Sequence, residues 1–216
     1  MEIEELKIKR NIIEAKEYCT KVDSNLSYYK TAIFKNEFEK TYIEEYYPLY
    51  LYFLKKYSHL NYSFRLLADN SDIDGLIYNE LDKIHKRIQI TCASINNDSV
   101  KQHEMLIKEG VAPGIGKFER IDGKVVASRI LRNVETAISE VSNQIVSALL
   151  KKEAKKYDRI DVLLISYHFR IKNTIENWNL LILDEIKKLI MIKKLFITFS
   201  EIYLVEEDGF VDKFIY

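Results

Sequence analysis

Apolar residues recur every three or four positions along most of the chain, which is the spacing of one face of an α-helix. This spacing predicts helices over residues 2–22, 34–57, 76–91, 99–109, 128–156 and 158–206. Few helix-breaking residues interrupt these stretches, because the chain contains only six Gly and two Pro residues. We therefore predict an all-α protein, built as a multi-helix bundle or an extended helical array.

An aromatic stripe marks the second of these predicted helices. Four aromatic residues recur there at intervals of four, namely Phe34, Phe38, Tyr42 and Tyr46. A surface on which nucleic-acid bases stack would need basic neighbours, whereas acidic residues are interleaved here: Glu37, Glu39, Glu44 and Glu45. We therefore predict that the stripe belongs to the hydrophobic core, with the tyrosine hydroxyls reaching the surface.

The helical pattern breaks most sharply between residues 108 and 124. Four of the six Gly residues and one of the two Pro residues lie in this segment. Asp122-Gly123 is a typical two-residue hairpin turn, and the residues on either side include several that favour strands. We predict a small β-hairpin near residues 117–127. The turn and hairpin together form a finger (110–127). This finger separates an N-terminal helical half (1–109) from a C-terminal helical half (128–216) within one domain overall.

Three interpretations of this segment compete. A phosphate-binding P-loop is a poor match, because five residues separate Gly110 from Gly116 and Phe118 stands in place of the hydroxyl residue. The run Ala112-Pro-Gly-Ile-Gly-Lys117 resembles the hairpin of the helix-hairpin-helix family, which implies that backbone N–H groups hold a nucleic-acid phosphate. The family's second helix is replaced here by Asp122-Gly123. The third interpretation is a connection without a ligand.

Charge and composition restrict the possible partners. The 33 basic and 33 acidic residues cancel, so no overall field attracts the chain to nucleic acid or to an anionic membrane. Two segments are nevertheless locally basic: residues 117–132 have five basic and two acidic residues, and residues 151–172 have seven and three. The acidic N-terminus does not resemble a signal peptide, and no apolar run is long enough to span a membrane. We expect a cytoplasmic protein.

Catalytic and metal-binding patterns are weak. The four histidines have no pair at metal-binding spacing, and the two cysteines match no metal motif. The segment Asn70–Gly75 resembles the opening of a calcium loop, but Leu81 stands where the closing Glu is needed. We interpret that segment as a capped helix start. We therefore expect no catalytic residue, no metal, no cofactor and no small-molecule substrate.

These observations favour a non-enzymatic factor that binds RNA or a ribonucleoprotein particle such as the ribosome by inserting its Gly/Pro finger. Basic side chains would contact phosphates, and backbone amides or apolar side chains would make the other contacts. The predicted binding residues are Gly114, Ile115, Gly116, Lys117, Phe118, Arg120, Lys124, Arg129 and Arg132. The alternative is a helical scaffold or complex subunit that docks on protein partners through the Tyr-rich helix at 34–57 or the apolar helix at 180–205.

Overall fold

The protein is a mixed α/β structure, so the all-α prediction is wrong. A computed structural model describes residues 2–25, 37–58, 61–67, 72–93, 101, 104–105, 108–110, 117–128, 133–155, 157, 160–167, 177–193, 199–206 and 209–214. Within these residues, six strands form one sheet and two further strands form a separate hairpin. Helices cover both faces of the large sheet.

Among the described residues, most of the helices precede the first strand. The helices are α1 (Ile3–Leu6), α2 (Ile12–Asn25), α3 (Glu37–Thr41), the π-helix π1 (Tyr42–Tyr46), α4 (Tyr47–Lys56), α5 (Val134–Glu153) and α6 (Trp178–Lys193). The strands are β1 (Ser63–Leu66), β2 (Gly75–Tyr78), β3 (Ile84–Ala93), β4 (Lys117–Ile121), β5 (Lys124–Ser128), β6 (Val162–Tyr167), β7 (Glu201–Glu206) and β8 (Val211–Phe214). Residues 101, 104, 105, 108 and 109 are also helical.

The six-stranded sheet has the order β1-β2-β3-β6-β7-β8. Its three central strands, β3, β6 and β7, are parallel, and the pairs β1–β2, β2–β3 and β7–β8 are antiparallel. Parallel neighbours need a crossover connection; α5 lies in the connection from β3 to β6, and α6 lies in the one from β6 to β7. The sheet therefore combines strands from both of the predicted helical halves.

Two hydrophobic cores lie on opposite faces of the sheet. On one face, α2, α3, π1 and α4 pack against side chains that include Ile88, Val162 and Tyr203. On the other face, α5 and α6 pack against the alternate positions of the same strands, including Leu163 and Ile202. The result is a three-layer sandwich, which is the usual way to cover both faces of a parallel sheet.

The strands were predicted as helix because burial on both faces removes the alternation of apolar and polar residues that identifies a strand. All six residues of β6 are buried, and five of the six in β7 are. The predicted helix over 158–206 is therefore wrong over β6 and β7. The helix over 76–91 is also wrong, since this stretch contains most of β2 and most of β3, and no helix starts at Asp74 or Gly75.

The aromatic helix of the N-terminal half is confirmed over the described residues 37–56. The rings of Phe38, Tyr42 and Tyr46 stack in succession, with centroids 6.3 and 5.7 Å apart. A π-helix has a wider turn than an α-helix, which helps side chains spaced by four to remain above one another through π1. All three rings are buried in the core, as predicted, but the predicted surface position of the hydroxyl group is wrong for Tyr46, whose hydroxyl oxygen is buried. Phe34 lies outside the described residues.

Helix α5 and the hairpin are confirmed as well. The side chain of Asn133 caps α5 by accepting a hydrogen bond from Thr136 N–H at 2.7 Å. In the hairpin, β4 pairs antiparallel with β5 through a turn at Asp122 and Gly123, with φ of 49° and 78°. Both residues of this turn type need positive φ, which Asp and Gly adopt more readily than most residues. No helix of the described residues combines the length and apolar character that a membrane crossing requires.

Candidate functional site

The predicted finger residues are only partly described. Gly114, Ile115, Gly116, Arg129 and Arg132 lie outside the described residues. Lys117 opens β4 and pairs with Ser128, while Lys124 is exposed at the first position of β5. Their function in RNA binding stays a prediction.

Arg120 on the finger is bound to an acidic residue of the same chain. Its guanidinium donates to both carboxylate oxygens of Glu104, at 2.5 and 3.2 Å. Lys108 donates to the same carboxylate at 2.8 Å, and hydrogen bonds from Lys108 and Arg120 lower the pKa of Glu104. A phosphate would have to compete with this carboxylate for Arg120. The charge of Arg120 is therefore less available than its sequence position suggests.

Phe118 contributes to the packing of the finger. Its side chain is only 1% exposed, and Val125 on the facing strand is also buried. The carbonyl oxygen of Phe118 accepts a hydrogen bond from Lys101 Nζ at 2.9 Å. In this arrangement the ring of Phe118 is not available to stack on a base, whereas Ile121 and Val126 are exposed.

A second group of polar side chains lies where β2 begins beside the middle of β3. The Asp74 N–H donates to the Ile88 carbonyl at 2.9 Å, which extends the antiparallel ladder by one residue beyond Gly75. The carboxylate of Asp74 then accepts the next N–H of β3, that of Ile90, at 2.6 Å. Strand β3 continues to Ala93. Asp74 is thereby held rigidly at the end of the β2–β3 ladder.

Gln89 lies in the same place and is almost completely buried, with 3% of its surface exposed. Its Nε2 donates to the Asp74 carboxylate and, at 3.4 Å, to the carbonyl oxygen of Ile90. Its Oε1 has no hydrogen-bond partner among the described residues. A buried amide oxygen without a partner is costly.

Glu45 approaches this position from π1. The pKa of its half-buried carboxyl group is raised to about 7, first by burial and then by the negative charges of Asp74 and Glu44. Leu49 of α4, which continues π1, packs against Gly75 at the start of β2. π-Helical turns often occur at functional sites. Here the π-helical turn holds the carboxyl group of Glu45, which the negative charge of Asp74 affects.

Lys152 approaches from the opposite layer, in the last turn of α5. It is half-buried, its Nζ lies 5.7 Å from the centre of the Tyr157 ring, and its charge interacts with those of Asp74 and Glu45. Burial lowers its pKa, and the attraction of Asp74 opposes that effect. The group Glu45, Asp74, Gln89 and Lys152 is called the notch cluster below: Gln89 is hydrogen-bonded to Asp74, and Glu45 and Lys152, from opposite helical layers, interact electrostatically with Asp74.

The notch cluster presents oxygen atoms of the kind that hard divalent cations prefer: carboxylates and an amide oxygen. Within the described part of the chain, no three His, Cys, Asp or Glu residues form a metal-binding group. The notch cluster has two carboxylates, and the amide oxygen of Gln89 would be the third ligand. Such a partial set suits a cation that completes its shell with water and substrate oxygens.

The sequence analysis missed this cluster because its members lie on four separate elements. In the sequence, Asp74 belongs to a pattern that resembles a calcium loop, and Glu45 is one of the acidic residues between the aromatic residues of the stripe. One signal was present: Gln89 stands between Ile88 and Ile90. A buried polar side chain needs a hydrogen-bond partner, and Asp74 was a candidate partner for Gln89.

The fold and the cluster together define a three-layer α/β protein with a buried acid–amide site at the end of an antiparallel ladder. No protein-family model matches the chain, and neither curated proteins nor solved structures include a match.

Proposed function

We propose that the notch cluster binds a divalent cation and hydrolyses a phosphodiester bond in a polynucleotide. The observation that carries this proposal is the Oε1 atom of Gln89, buried without a partner among the described residues beside the carboxylate of Asp74. A cation would accept this lone pair and would offset the two negative charges of Asp74 and Glu45.

The identity of the ligands favours magnesium or manganese. Mg²⁺ is usually held by one or two carboxylates, several waters and the phosphate oxygens of its substrate. Asp74, Glu45 and Gln89 supply such a set, which contains none of the sulfur or imidazole ligands that select zinc or copper. The substrate would then be a phosphate compound whose oxygens complete the shell.

Hydrolysis would follow from the position of the cation. A bound cation lowers the pKa of a coordinated water and stabilises negative charge on a phosphoryl oxygen. The water oxygen attacks phosphorus, the bond from phosphorus to the leaving oxygen breaks, and the proton lost by the water ends on that leaving oxygen. The products are a phosphate monoester and an alcohol.

A polynucleotide is the substrate class that the local charge favours. Lys151 and Lys155, at the end of α5, are exposed basic residues. A locally basic surface raises the concentration of a polyanion near the site. Nucleic acid thus remains the proposed partner, but the notch cluster would act on it as an enzyme, whereas the sequence pattern favours non-enzymatic binding through the finger.

Binding of Mn²⁺ and cleavage of a simple diester test the proposal. We expect the protein to bind Mn²⁺ in a titration followed by electron paramagnetic resonance, and to hydrolyse bis(4-nitrophenyl) phosphate and labelled RNA or DNA strands. EDTA should abolish cleavage. Below about pH 7 a proton on Glu45 competes with the cation, so the apparent affinity should rise by up to about tenfold per pH unit and level off above pH 7.

A protein that binds no Mn²⁺ between pH 6 and 8 would contradict the whole proposal. Binding of Mn²⁺ without cleavage of the diester or of either nucleic acid would contradict the hydrolytic part. The measurements use the full chain, because both helical layers contribute to the notch cluster.

RNA binding by the finger is a second candidate function, supported by the exposed Lys124 beside the turn and by the exposed Ile121 and Val126. Replacing Lys117, Arg120 and Lys124 by Ala is expected to weaken RNA binding in a filter assay. The slope of log affinity against log salt should fall by up to about one unit for each lost phosphate contact. Replacing Lys16, Lys83 and Lys187, which are exposed residues elsewhere, serves as the control. Equal losses in both variants would argue against a site on the finger.

Part of one docking surface of the scaffold alternative is buried. Tyr42, Tyr46, Tyr50 and Tyr52 are buried against the sheet, so this part of the Tyr-rich stretch is not a surface for partners. The predicted apolar helix at 180–205 is divided between α6 and β7. Four exposed apolar side chains remain on α6, namely Leu180, Leu181, Met191 and Ile192. Docking through them stays a prediction that nuclease-treated co-purification tests.

A further inference from the structure

Helix α6 has apolar side chains on both its inner and its outer face. The inner face is buried in the core that α6 shares with α5 and the sheet, through Ile182, Leu183, Ile186 and Ile190. On the outer face, Leu180 and Leu181 are exposed near the start of the helix, and Met191 and Ile192 are exposed near its end. These are called the first and the second apolar pair below.

The second apolar pair is the more exposed of the two. Met191 and Ile192 are each 76% exposed, more than any other large apolar side chain of the described residues. About three helical turns separate Leu180 from Met191 and Leu181 from Ile192, so both pairs lie on one face of the helix. A single exposed apolar residue needs no explanation, but a group of them on one face marks an interaction surface.

Charged residues separate the two apolar pairs. Asp184, Lys187 and Lys188 are exposed between them on the same face. Asp184 forms no ion pair with the described residues, and Lys188 forms one with Glu185 of the same helix, at 3.6 Å. Exposed pairs of this kind contribute little to stability, so the Lys188 ammonium can turn toward another carboxylate at little cost.

The outer face of α6 is complementary to a second copy of itself in the antiparallel direction. Ile186 lies midway between Asp184 and Lys188 and at equal distances along the helix from the two apolar pairs. A two-fold axis at the level of Ile186 therefore brings the first apolar pair of each copy opposite the second apolar pair of the other. The same axis brings Asp184 of each copy opposite Lys188 of the other. An interface between identical copies requires this self-complementarity.

We propose that the protein forms a two-fold symmetric dimer through the outer faces of α6. Both apolar pairs of each copy leave water in the contact, and burial of apolar surface drives the association. Two ion pairs between Asp184 and Lys188 fix the register, because charges across an interface contribute more to specificity than to affinity. The antiparallel arrangement also places the positive end of each helix dipole beside the negative end of the other.

Sedimentation velocity over a concentration series tests the dimer. The mass of the wild type should rise from 25.6 kDa toward twice that value as the concentration increases. Leu181→Lys places a charge among apolar side chains, and Asp184→Lys places like charges opposite each other. We expect each variant to weaken dimerisation by at least about tenfold. The matched controls on α2, Ile13→Lys and Glu17→Lys, alter exposed residues and should dimerise like the wild type.

A charge exchange between two variants tests the register. The double variant Lys187→Asp, Lys188→Asp should also dimerise poorly by itself. Mixed with Asp184→Lys, it should form a one-to-one heterodimer in native mass spectrometry, because positions 184, 187 and 188 are then all acidic in one chain and all basic in the other. Circular dichroism verifies that each variant is folded.

Three results would overturn the proposal. The first is a wild type that stays a monomer at every concentration. The second is a dimer that Leu181→Lys and Asp184→Lys leave intact, since its interface would then lie elsewhere. The third is a mixture of the two charge variants that forms no heterodimer although both are folded.

Discussion

The Asp74→Asn variant is expected to lose Mn²⁺ binding and to cleave a phosphodiester on the order of 1,000-fold more slowly than the wild type. A catalytic cation contributes several kcal/mol to stabilising the transition state, and each 1.36 kcal/mol corresponds to a factor of ten in rate. Asn removes the charge that holds the cation and keeps one oxygen that can accept the Ile90 N–H. Initial rates with bis(4-nitrophenyl) phosphate at saturating Mn²⁺ measure the effect.

The Asp82→Asn variant is the matched control. Asp82 is exposed, lies in the turn between β2 and β3, and has a φ of 58° that Asn adopts readily. Its ion pair with Lys9 is exposed and contributes little. We expect wild-type activity and affinity from this variant. Wild-type activity in Asp74→Asn, with the fold verified by circular dichroism, would rule out the notch cluster as the catalytic site.

The Phe64→Ala variant is expected to lose about 3–5 kcal/mol of unfolding free energy, which is the usual cost of removing a buried phenyl ring. Phe64 is fully buried on β1, with its ring centre 4.8 Å from that of Phe53 and 5.5 Å from that of Tyr46. Its backbone also exchanges two hydrogen bonds of 2.9 Å with Arg10. Urea unfolding followed by circular dichroism measures the loss.

This loss is large compared with the 5–15 kcal/mol that stabilises a typical domain. The Leu81→Ala variant is the control, because Leu81 is 67% exposed and its truncation should change the free energy by less than about 0.5 kcal/mol. A loss below about 1 kcal/mol in Phe64→Ala would show that β1 and the N-terminal helices do not share one core. Because β1 supports β2, which positions Asp74, we also expect weaker Mn²⁺ binding in this variant.

Local patterns in the sequence were informative where a helix or turn has one exposed side. Helix α5 has an apolar face toward the sheet and a polar face toward solvent, so its periodicity identified it. The hairpin turn was predicted because Asp122-Gly123 satisfies a backbone requirement that involves no distant residue. The aromatic stripe of π1 was assigned to the core because acidic residues separate its rings, and the structure confirms that assignment.

The same patterns failed where both sides of an element are buried. A helix and a doubly buried strand both present a run of apolar residues, and β6, with six consecutive buried positions, carries no periodic signal to distinguish them. For this reason the helix predicted over 158–206 included the residues of β6 and β7. The all-α prediction followed from this ambiguity rather than from any single residue.

The notch cluster required the tertiary structure. Glu45 and Lys152 are separated by more than 100 residues and lie on opposite faces of the sheet, and neither has a motif around it. Both interact with Asp74. The hydrogen bonds between β2 and β3 fix the position of Asp74, because they set the start of β2 beside the middle of β3.

The sequence by itself determined the amphipathic helices, the hairpin turn and the burial of the aromatic stripe, because each depends on neighbours within a few positions. The tertiary structure alone decided that a sheet separates the helices and that Glu45, Asp74, Gln89 and Lys152 form one cluster. Strand pairing joins residues that are far apart in the chain, and burial on both faces removes the periodicity by which a strand is recognised.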